Sequence, residues 1–461
     1  MYNLAIMTDS YKATHWLQFP PNTDYLYYYF ESRSDNKNLV FFGLQAILLE
    51  YFKVPTLKQV IKAKSFWKAH FGRDLFNYPG WRKISKLGYL PIEIKAIPEG
   101  TVIQSKNVLY TIVNTDPEFY WLPGWLETLL VQVWYPITVA TTSYNIKQII
   151  RKYLELTGDI SELPFKLHDF GYRGASSYLS AKLGGMAHLV NFQGTDTVAA
   201  IEGVLDYYNP YNKIEMPAFS IPAAEHSTVT AWGMKFEKEA YENMLCQFAE
   251  PGTIVAVVSD SYDLDNAVKN LWGKELKNKV VNSGATVVIR PDSGDPKTMV
   301  IKTLYQLSES YGISINEKGF KVLNNVKVIQ GDGISSPEVI ESILEEMLKH
   351  GFSANNIAFG MGGGLLQKCD RDTYKFAQKL SARYGKDLKS GEYKWFDVFK
   401  KPKGCEWKAS KAGRFSVIKT QQGYKTIKLN NTEKDYLETV YKNGDIKLQS
   451  FDEIRKRTDE F

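Results

Sequence analysis

Extended apolar runs alternate with amphipathic stretches from about residue 160 to residue 370. Seven such runs end in glycine or in polar residues: "FKLHDFG", "AHLVNFQGTD", "FSIPAAEHS", "TIVAVVSDS", "TVVIRPDSGD", "VKVIQGDG" and "IAFGMGGG". Between them lie segments long enough for helices, such as "DNAVKNLWGKEL" and "SSPEVIESILEEMLKHG". Continuous Val/Ile-rich strands that alternate with helices are typical of a parallel sheet covered by helices. The pattern therefore predicts an α/β fold.

A closed, TIM-like β/α barrel explains these repeated units better than an open sheet does. All the polar ends are alike, and a barrel carries its site at the carboxyl ends of its strands. An open doubly wound sheet is the alternative. We predict the barrel domain over residues 151–384.

The first 150 residues show a different pattern, in which short strand-like runs mix with apolar helical stretches. The runs are "DYLYYYFES", "LPIEIKAIPEG" and "NVLYTIVNT", and "FGLQAILLEYF" is helical in its spacing. Turn signals at Pro20-Pro21, Pro98-Gly100 and Asp116-Pro117 separate these elements. We predict an α+β domain here.

Charged, aromatic or glycine residues stand at the ends of the seven runs. In chain order they are Phe170 and Arg173, Asp196, Glu225 and His226, Asp260, Arg290 and Asp292, Asp332, and Gly362 to Gly364. A single aspartate after a strand is more often a helix N-cap or a turn residue, and a single histidine more often has a structural role. Packing alone does not require such residues at seven successive strand ends. We therefore expect an active site at this end of the sheet.

The glycine-rich ends "GDG" and "GMGGG" narrow the ligand class. Flexible backbone amides at helix starts are a common phosphate site. Neither segment has the spacing of a P-loop or of a dinucleotide fingerprint. Carboxylates among these glycines suit ribose hydroxyls or a Mg²⁺ ion held mainly by substrate phosphates. The pattern indicates a sugar phosphate.

Composition excludes some classes of protein. The 461 residues are 44% hydrophobic and 23% charged, with a formal charge of +6, which is typical of a globular protein and not of a disordered one. Three scattered cysteines, Cys246, Cys369 and Cys405, favour a reducing compartment and form no zinc motif. No signal peptide or membrane span is evident, so we expect a cytoplasmic protein. The lysine-rich segment 389–414 is either a solvated loop or a phosphate-handling region.

Several motifs together resemble the nicotinamide phosphoribosyltransferase family of type II phosphoribosyltransferases. They are "TDSYK", "FGLQ", "KLHDFGYRG", "VNFQGTDT", "PAAEHS", "VSDSYD", "IRPDSG", "VIQGDG" and "FGMGGGLLQK", and they run from about Tyr2 to Arg371. The resemblance implies formation of nicotinamide mononucleotide and pyrophosphate from nicotinamide and 5-phosphoribosyl 1-pyrophosphate. It also implies an irregular β/α barrel beside a mainly β domain built from both chain ends (1–150 and 385–461), in a homodimer with shared active sites.

The resemblance further assigns roles to residues of this chain. Phe170 and Tyr11 of the partner subunit would stack on the two faces of nicotinamide. Arg173 would bind the amide oxygen, and Asp196 would accept from the amide nitrogen and repel the carboxylate of nicotinate. The other implied substrate contacts are Ser220; Arg290, Asp292, Gly331 and Asp332 at the ribose; and Gly362 and Gly363 at the 5-phosphate.

Phosphate chemistry is implied for a second set of residues. Arg33, Arg371, Lys379 and Lys400 would contact phosphate or pyrophosphate. His226 matches the histidine that ATP phosphorylates in the family, and Asp260 would orient it. No protein ligand set for a metal is implied. Met361 and Ala377 depart from the family pattern, in which a small residue and a serine are expected.

Two other functions fit the same pattern. A nicotinate phosphoribosyltransferase shares the fold and the phosphate chemistry, and Asp196 is the residue that discriminates between the two substrates. A non-enzymatic binding protein on the same scaffold is the other alternative. It would have no need to retain every polar group of the reaction, and this chain has them.

Overall fold

A computed structural model of the chain describes residues 2–210, 216–404, 409–429 and 432–460, and Cys405 lies outside these ranges. The chain divides into two compact units. Unit 1 comprises Met1–Thr141, Leu205–Lys213 and Cys369–Phe461, and unit 2 comprises Thr142–Val204 and Ile214–Lys368.

The amino-terminal part of unit 1 begins with two 3₁₀ segments, Leu4–Ile6 and Ser10–Leu17. Its strands are β1 (Thr23–Ser32), β2 (Asn38–Val40), β3 (Ile92–Ala96), β4 (Val102–Gln104) and β5 (Val108–Asn114). Its helices are α1 (Leu44–Tyr51), α2 (Leu57–Phe71), α3 (Tyr78–Leu87) and α4 (Leu122–Leu130), followed by the long α5 (Trp134–Thr157), which continues into unit 2. The strand-like and helical runs expected in the first 150 residues are confirmed.

Unit 2 contains the alternating elements. Its strands are β6 (Leu167–Asp169), β7 (Gly194–Thr195), β8 (Ile254–Val258), β9 (Thr286–Arg290), β10 (Ile313–Ile315), β11 (Lys321–Leu323), β12 (Val326–Gln330) and β13 (Ile357–Met361). Its helices are α6 (Tyr178–Leu189), α7 (Val198–Tyr207), α8 (His226–Thr230), α9 (Glu237–Phe248), α10 (Leu264–Asn266), α11 (Lys277–Ser283), α12 (Pro296–Tyr311), α13 (Pro337–Lys349) and α14 (Gly363–Leu366). A π-helix, Ala267–Glu275, follows α10.

The carboxyl-terminal part of unit 1 adds further strands and a last helix. They are β14 (Phe376–Lys386), β15 (Tyr393–Asp397), β16 (Phe415–Thr420), β17 (Gly423–Lys428), β18 (Glu438–Lys442), β19 (Asp445–Ile446) and α15 (Phe451–Asp459). Strands from both chain ends form one sheet in the order β15-β14-β1-β5-β3-β18-β19. Its pairs are antiparallel, and Phe30 of β1 stacks between Tyr110 and Phe376 with ring centroids 4.7 and 5.4 Å away. The resemblance implied such a sheet.

Unit 2 is organised around a parallel sheet in the order β7-β6-β13-β12-β9-β8. Ala256, Val288 and Ile329 from three of its strands form a buried apolar cluster against which Phe170 and Ile221 pack. The parallel sheet and five of the seven runs expected to be strands are confirmed. The run "AHLVNFQGTD" is wrong as a continuous strand, because residues 187–189 belong to α6 and only Gly194–Thr195 form β7.

The run "FSIPAAEHS" is not a regular strand. Phe219 bridges Gly194 and Ala223 bridges Ala256, so the segment touches both edge strands of the sheet through single parallel bridges. Pro222 lies between these two bridges and has no backbone N–H, which explains why a continuous ladder does not form. The predicted element is therefore present only as an irregular connection.

The predicted boundary at residue 384 is too late in the chain. Residues from Cys369 onward belong to unit 1, and β14 pairs with β1. The burial of β14 changes between neighbouring positions, as expected for an antiparallel strand that differs in its two faces, and contrasts with the continuous apolar runs of unit 2. In the described part of the chain, no helix combines the length and hydropathy needed to cross a bilayer.

Candidate active site

The carboxyl end of β6 presents two rings. His168 and Phe170 are two residues apart, so they lie on the same face of the strand, with ring centroids 5.2 Å apart. The Phe170 N–H donates to the Met361 carbonyl at 3.0 Å, which continues the pairing with β13. A Cβ atom at Gly360 of β13 would lie only 2.0 Å from Phe170 Cε2. Glycine at 360 therefore makes room for the aromatic face.

Asp196 follows β7 and is the acceptor of two hydrogen bonds. His168 Nε2 lies 3.0 Å from Asp196 Oδ1, and Ser220 Oγ donates to the same oxygen at 2.6 Å. Burial alone would raise the pKa of Asp196, but these two donors and the electrostatic effects of His168 and Arg290 outweigh burial and lower it. The carboxylate is therefore ionised at neutral pH, and its second oxygen remains available to a ligand.

Asp169 lies directly beneath this arrangement. Its side chain is fully buried, and Gly171 N–H donates to Oδ1 at 2.7 Å. Burial raises the pKa of Asp169 to about 6, and the charge of Asp196 adds to that effect. Asp169 thus holds the turn after β6 and is not itself exposed to a ligand.

His226 and Asp260 form a second pair at this end of the sheet. His226 Nε2 lies 3.0 Å from Asp260 Oδ1, and the side chains are 46% and 5% exposed, respectively. A buried carboxylate that holds one imidazole nitrogen leaves the other ring nitrogen free to face solvent. The predicted His226–Asp260 contact is present.

Arg290 and Asp292 form a third pair at the end of β9. Arg290 Nη2 donates to Asp292 Oδ2 at 3.0 Å, while Arg290 Nε is buried without a partner among the described residues. A Cβ atom at Gly331 would lie 3.3 Å from Asp292 Oδ1 and 3.4 Å from Phe170 Cε2. Gly331 and the exposed Asp332, which follow β12, therefore adjoin this pair.

Of the glycines after β13, Gly363 leaves open space, whereas Gly364 packs closely against Met361. Gly362 caps α14, a helix of only four residues, and a Cβ atom at Gly363 would meet nothing within 4 Å. Met361, where a small residue was expected, is fully buried, and its carbonyl accepts the Phe170 N–H. Its side chain therefore does not face the open space.

Arg173 extends away from the sheet. Its side chain is 89% exposed, and its nearest carboxylate is that of Glu225, with Nη1 and Oε2 3.8 Å apart. Such an exposed pair is weak. The guanidinium is therefore free to bind another group.

Unit 1 carries a separate cluster of positive charge. Burial lowers the pKa of Lys379, and the charges of Arg33, Lys400 and Arg371 lower it further, against the opposing effect of Glu127. Arg33 pairs with the buried Glu31 at 3.1 Å, but its Nη2 is buried without a partner in the described structure. The four cations predicted to contact phosphates are thus brought together within this unit, and their mutual repulsion favours a bound anion.

Tyr11 lies on the segment Ser10–Leu17 and is 60% exposed. It lines a cavity of about 420 Å³ in unit 1, together with Lys379, Glu127 and the buried Lys12. Lys12 Nζ donates to Glu127 Oε2 at 2.7 Å and to the Gly124 carbonyl at 3.1 Å. This pair anchors the segment that presents Tyr11.

Sequence reasoning assigned no role to His168, Lys12, Glu31 or Glu127. A signal existed only for His168, because the period of two along a strand places it on the face that Phe170 occupies. The acidic partners of the cations become evident only in the folded chain.

Two family models and a curated relative match this chain. The model of the nicotinate phosphoribosyltransferase (NAPRTase) family matches residues 165–445, and the model of the nicotinamide phosphoribosyltransferase N-terminal domain matches residues 3–94. A protein of Xanthomonas campestris pv. campestris (strain 8004) named nicotinamide phosphoribosyltransferase is 49% identical over 472 residues, which cover 99% of this chain and 98% of the relative. The chain belongs to the nicotinamide phosphoribosyltransferase family.

A second relative supports this family membership, and two solved structures share the fold. The nicotinamide phosphoribosyltransferase of Acinetobacter baylyi (strain ATCC 33305 / BD413 / ADP1) is 32% identical, covering 97% of this chain and 95% of the relative. The crystal structure of nicotinate-nucleotide pyrophosphorylase from Pyrococcus furiosus has a TM-score of 0.64 at 15% identity, covering 99% of this chain and 95% of that one. Human nicotinic acid phosphoribosyltransferase has a TM-score of 0.54 at 15% identity, covering 98% and 93%. At such identities the structures show a shared fold only.

Proposed function

We propose that this protein transfers the phosphoribosyl group of 5-phosphoribosyl 1-pyrophosphate to the ring nitrogen of nicotinamide, which yields nicotinamide mononucleotide and pyrophosphate. The observation that carries the proposal is the free oxygen of the ionised Asp196, whose partner His168 packs against the Phe170 ring. A neutral carboxamide can donate an N–H to that oxygen, whereas the carboxylate of nicotinate would be repelled. The names of the relatives point to the same substrate.

The pyridine ring would lie flat against Phe170, with Arg173 on the amide oxygen. Aromatic faces hold a neutral heterocycle in an offset stack. Such stacking aligns the ring nitrogen with the anomeric carbon before reaction, which lowers the entropic barrier. No nucleophilic side chain is required in this step.

The sugar and phosphates would occupy the other strand ends. Arg290, Asp292, Gly331 and Asp332 would contact the ribose, and Gly362 and Gly363 the 5-phosphate. Cleavage of the bond to pyrophosphate builds negative charge on the leaving group, which Arg33, Arg371, Lys379 and Lys400 would stabilise.

Magnesium would be held mainly by the substrate phosphates. In the described residues, no group of three or more His, Cys, Asp or Glu side chains is arranged to hold a metal ion. Asp292 and Asp332, at the ends of neighbouring strands, fit an ion that needs only one or two protein carboxylates. When bound, the ion would offset charge on the leaving pyrophosphate.

ATP would act as a co-substrate through His226. Imidazole is a competent phosphoryl acceptor, and the Asp260 contact orients the ring with one nitrogen exposed. We expect His226→Ala to abolish ATP stimulation and acid-labile phosphate incorporation from labelled ATP, while some ATP-independent transfer remains. His350→Ala on the surface of the same unit is the control. Full ATP stimulation in His226→Ala would place the phosphorylated residue elsewhere.

The assembly would be a cytoplasmic homodimer in which Tyr11 of the partner subunit stacks on the nicotinamide. The exposed positions of Tyr11 and Arg173 support this arrangement. We further propose that the six-stranded sheet and the 217–224 segment form an irregular, TIM-like barrel, because that segment bridges both edge strands.

The experiment that tests the function is an assay of pyrophosphate release by the purified protein with 5-phosphoribosyl 1-pyrophosphate and either nicotinamide or nicotinate. We expect nicotinamide to be strongly preferred, and Asp196→Ser to shift kcat/KM toward nicotinate by on the order of 1 to 3 kcal/mol. Preference for nicotinate would favour the alternative transferase, and no release with either base would favour a binding protein.

A further inference from the structure

One oxygen of Asp196 carries both of the hydrogen bonds that the carboxylate receives. His168 Nε2 and Ser220 Oγ lie 3.0 and 2.6 Å from Oδ1, while Oδ2 receives no hydrogen bond from the residues that the structure describes. A carboxylate only accepts hydrogen bonds, so Nε2 of His168 carries a proton. The two donors therefore fix which oxygen of Asp196 is free.

The two donors differ in rigidity. A serine hydroxyl rotates about its Cβ–Oγ bond and can turn toward another acceptor. The His168 ring cannot move in the same way, because it packs against the neighbouring strand. His168 pairs with Gly194 of β7, where a Cβ atom would lie 2.6 Å from His168 Nδ1.

The strand register also sets the direction of the ring. Asp196 follows β7 directly, and its backbone N–H donates to the Asp169 carbonyl at 3.0 Å. The side chain of His168 is only 14% exposed, and its ring centroid is 5.2 Å from that of Phe170. His168 is therefore held between the aromatic face and the carboxylate.

We propose that His168 is a positioning residue that determines base specificity by holding Asp196 Oδ1, so that Oδ2 is directed at the amide nitrogen of nicotinamide. The inference rests on the proposed function. Without His168 the carboxylate would rotate away from nicotinamide and from nicotinate alike. Both the hydrogen bond to the amide and the repulsion of the acid would weaken.

The alternative is a purely structural role, in which His168 only secures β7 against β6. Loss of folded protein lowers the rates with both substrates equally, so the ratio of the two kcat/KM values is insensitive to it. A change in this ratio is therefore the readout that a structural role would not produce.

The test compares the ratio of kcat/KM for nicotinamide and nicotinate in wild type, His168→Phe, His168→Gln and Asp196→Ser. We expect the ratio to fall by about tenfold or more in His168→Phe, mainly through the KM of nicotinamide. His168→Gln retains an N–H donor and should stay within about threefold of wild type. His350→Gln, which changes a histidine bonded to Tyr305 on the surface of unit 2, should leave the ratio unchanged.

A double variant provides the decisive measurement. If His168 acts through Asp196, His168→Phe has little further effect on the ratio once Asp196→Ser is present. An unchanged ratio in His168→Phe, or effects that multiply independently in the double variant, would overturn the proposal. Wild type that shows no preference for nicotinamide would instead refute the proposed function.

Discussion

The two ends of the parallel sheet in unit 2 both carry buried charge, but they satisfy it differently. At the amino end, Lys166 is 4% exposed and its Nζ donates to the carbonyls of Asn355 and Ile357 and to Glu162. Glu162 in turn accepts from Lys327. Burial acts against the Glu162 carboxylate, but the two lysines outweigh it and lower its pKa to about 2. Every hydrogen bond of the Lys166 ammonium group is thus made within the unit.

At the carboxyl end, the charged groups retain unused hydrogen-bonding capacity. Arg290 Nε and Gln330 Oε1 are buried without partners among the described residues, and one oxygen of Asp196 is free. Burying a polar atom without a partner costs about 1 to 3 kcal/mol, so such atoms indicate a ligand. A buried charge alone does not mark a site. The unused hydrogen-bonding atoms at the carboxyl end of the sheet distinguish it from the amino end around Lys166.

The largest expected effect is on activity, and it tests whether a second chain contributes Tyr11 to the carboxyl end of the sheet. Tyr11→Ala and Arg173→Ala should each lower activity by about a hundredfold or more, because stacking and the amide contact align the base. In a mixed dimer one site carries both changes and the other carries neither. Co-refolding the two variants should therefore restore activity to about one quarter of wild type if subunits mix at random.

The control for that experiment is a mixture of each variant with itself, which should stay inactive. Subunit exchange is verified independently with differently tagged chains. If exchange is proven and activity does not return, each site is built within one chain and Tyr11 has no role across the interface.

A substitution at the amino end of the sheet should change the stability of the protein and leave its substrate specificity unchanged. Lys166→Met leaves Glu162 partly unpaired and removes the donor to two buried carbonyls, so we expect a loss of about 3 to 5 kcal/mol in the free energy of unfolding. Lys152→Met breaks the exposed pair with Glu341, whose partner atoms are 3.3 Å apart, and should lower the stability much less, because solvent screens such a pair. Urea unfolding measures both. A changed kcat/KM ratio for nicotinamide and nicotinate in Lys166→Met would contradict the division of roles between the two ends.

Much of unit 2 could be predicted from the sequence, because continuous apolar runs with glycine or polar ends are a strong local signal. The prediction of a regular strand around Pro222 is wrong, since apolar composition does not reveal that this proline interrupts the ladder. The boundary at 384 failed for a related reason. Strand β14 pairs with β1, more than 340 residues earlier, and no local pattern encodes such a pairing.

The candidate site, too, could be predicted only where a local sequence pattern marks its residues. The positions of Phe170, Asp196 and His226 at the ends of apolar runs identify them as candidates, whereas Arg33 and Lys379 are assigned only through the family resemblance. The hydrogen bond between His168 and Asp196 depends on the register of β6 against β7 across 28 residues. Residue types predict which chemistry is possible, but partners are set by tertiary pairing.

The smallest expected effect concerns a carboxyl group at each end of the sheet. Burial raises the pKa of Asp169 to about 6, whereas the lysines lower that of Glu162. A carboxyl group with a raised pKa in the folded state stabilises the fold below its ordinary pKa near 4, and this contribution is lost as the pH rises through 6. A carboxyl group with a lowered pKa in the folded state has the opposite effect. It stabilises the fold above pH 4, and this stabilisation is lost on acidification.

Replacing Asp169 by Asn should remove the first of these pH dependences. The amide cannot ionise but can still accept from the Gly171 N–H. Between pH 4 and pH 7, the free energy of unfolding of wild type should fall relative to Asp169→Asn by up to about 3 kcal/mol, from a shift of roughly two pKa units. Urea midpoints at several pH values measure the difference. At Asp159, an exposed cap whose pKa the Ser161 donors lower, the dependence has the opposite sign and falls below pH 4, so wild type and Asp159→Asn should keep a nearly constant difference between pH 4 and pH 7. A constant difference across the range would contradict the raised pKa of Asp169 in the folded state.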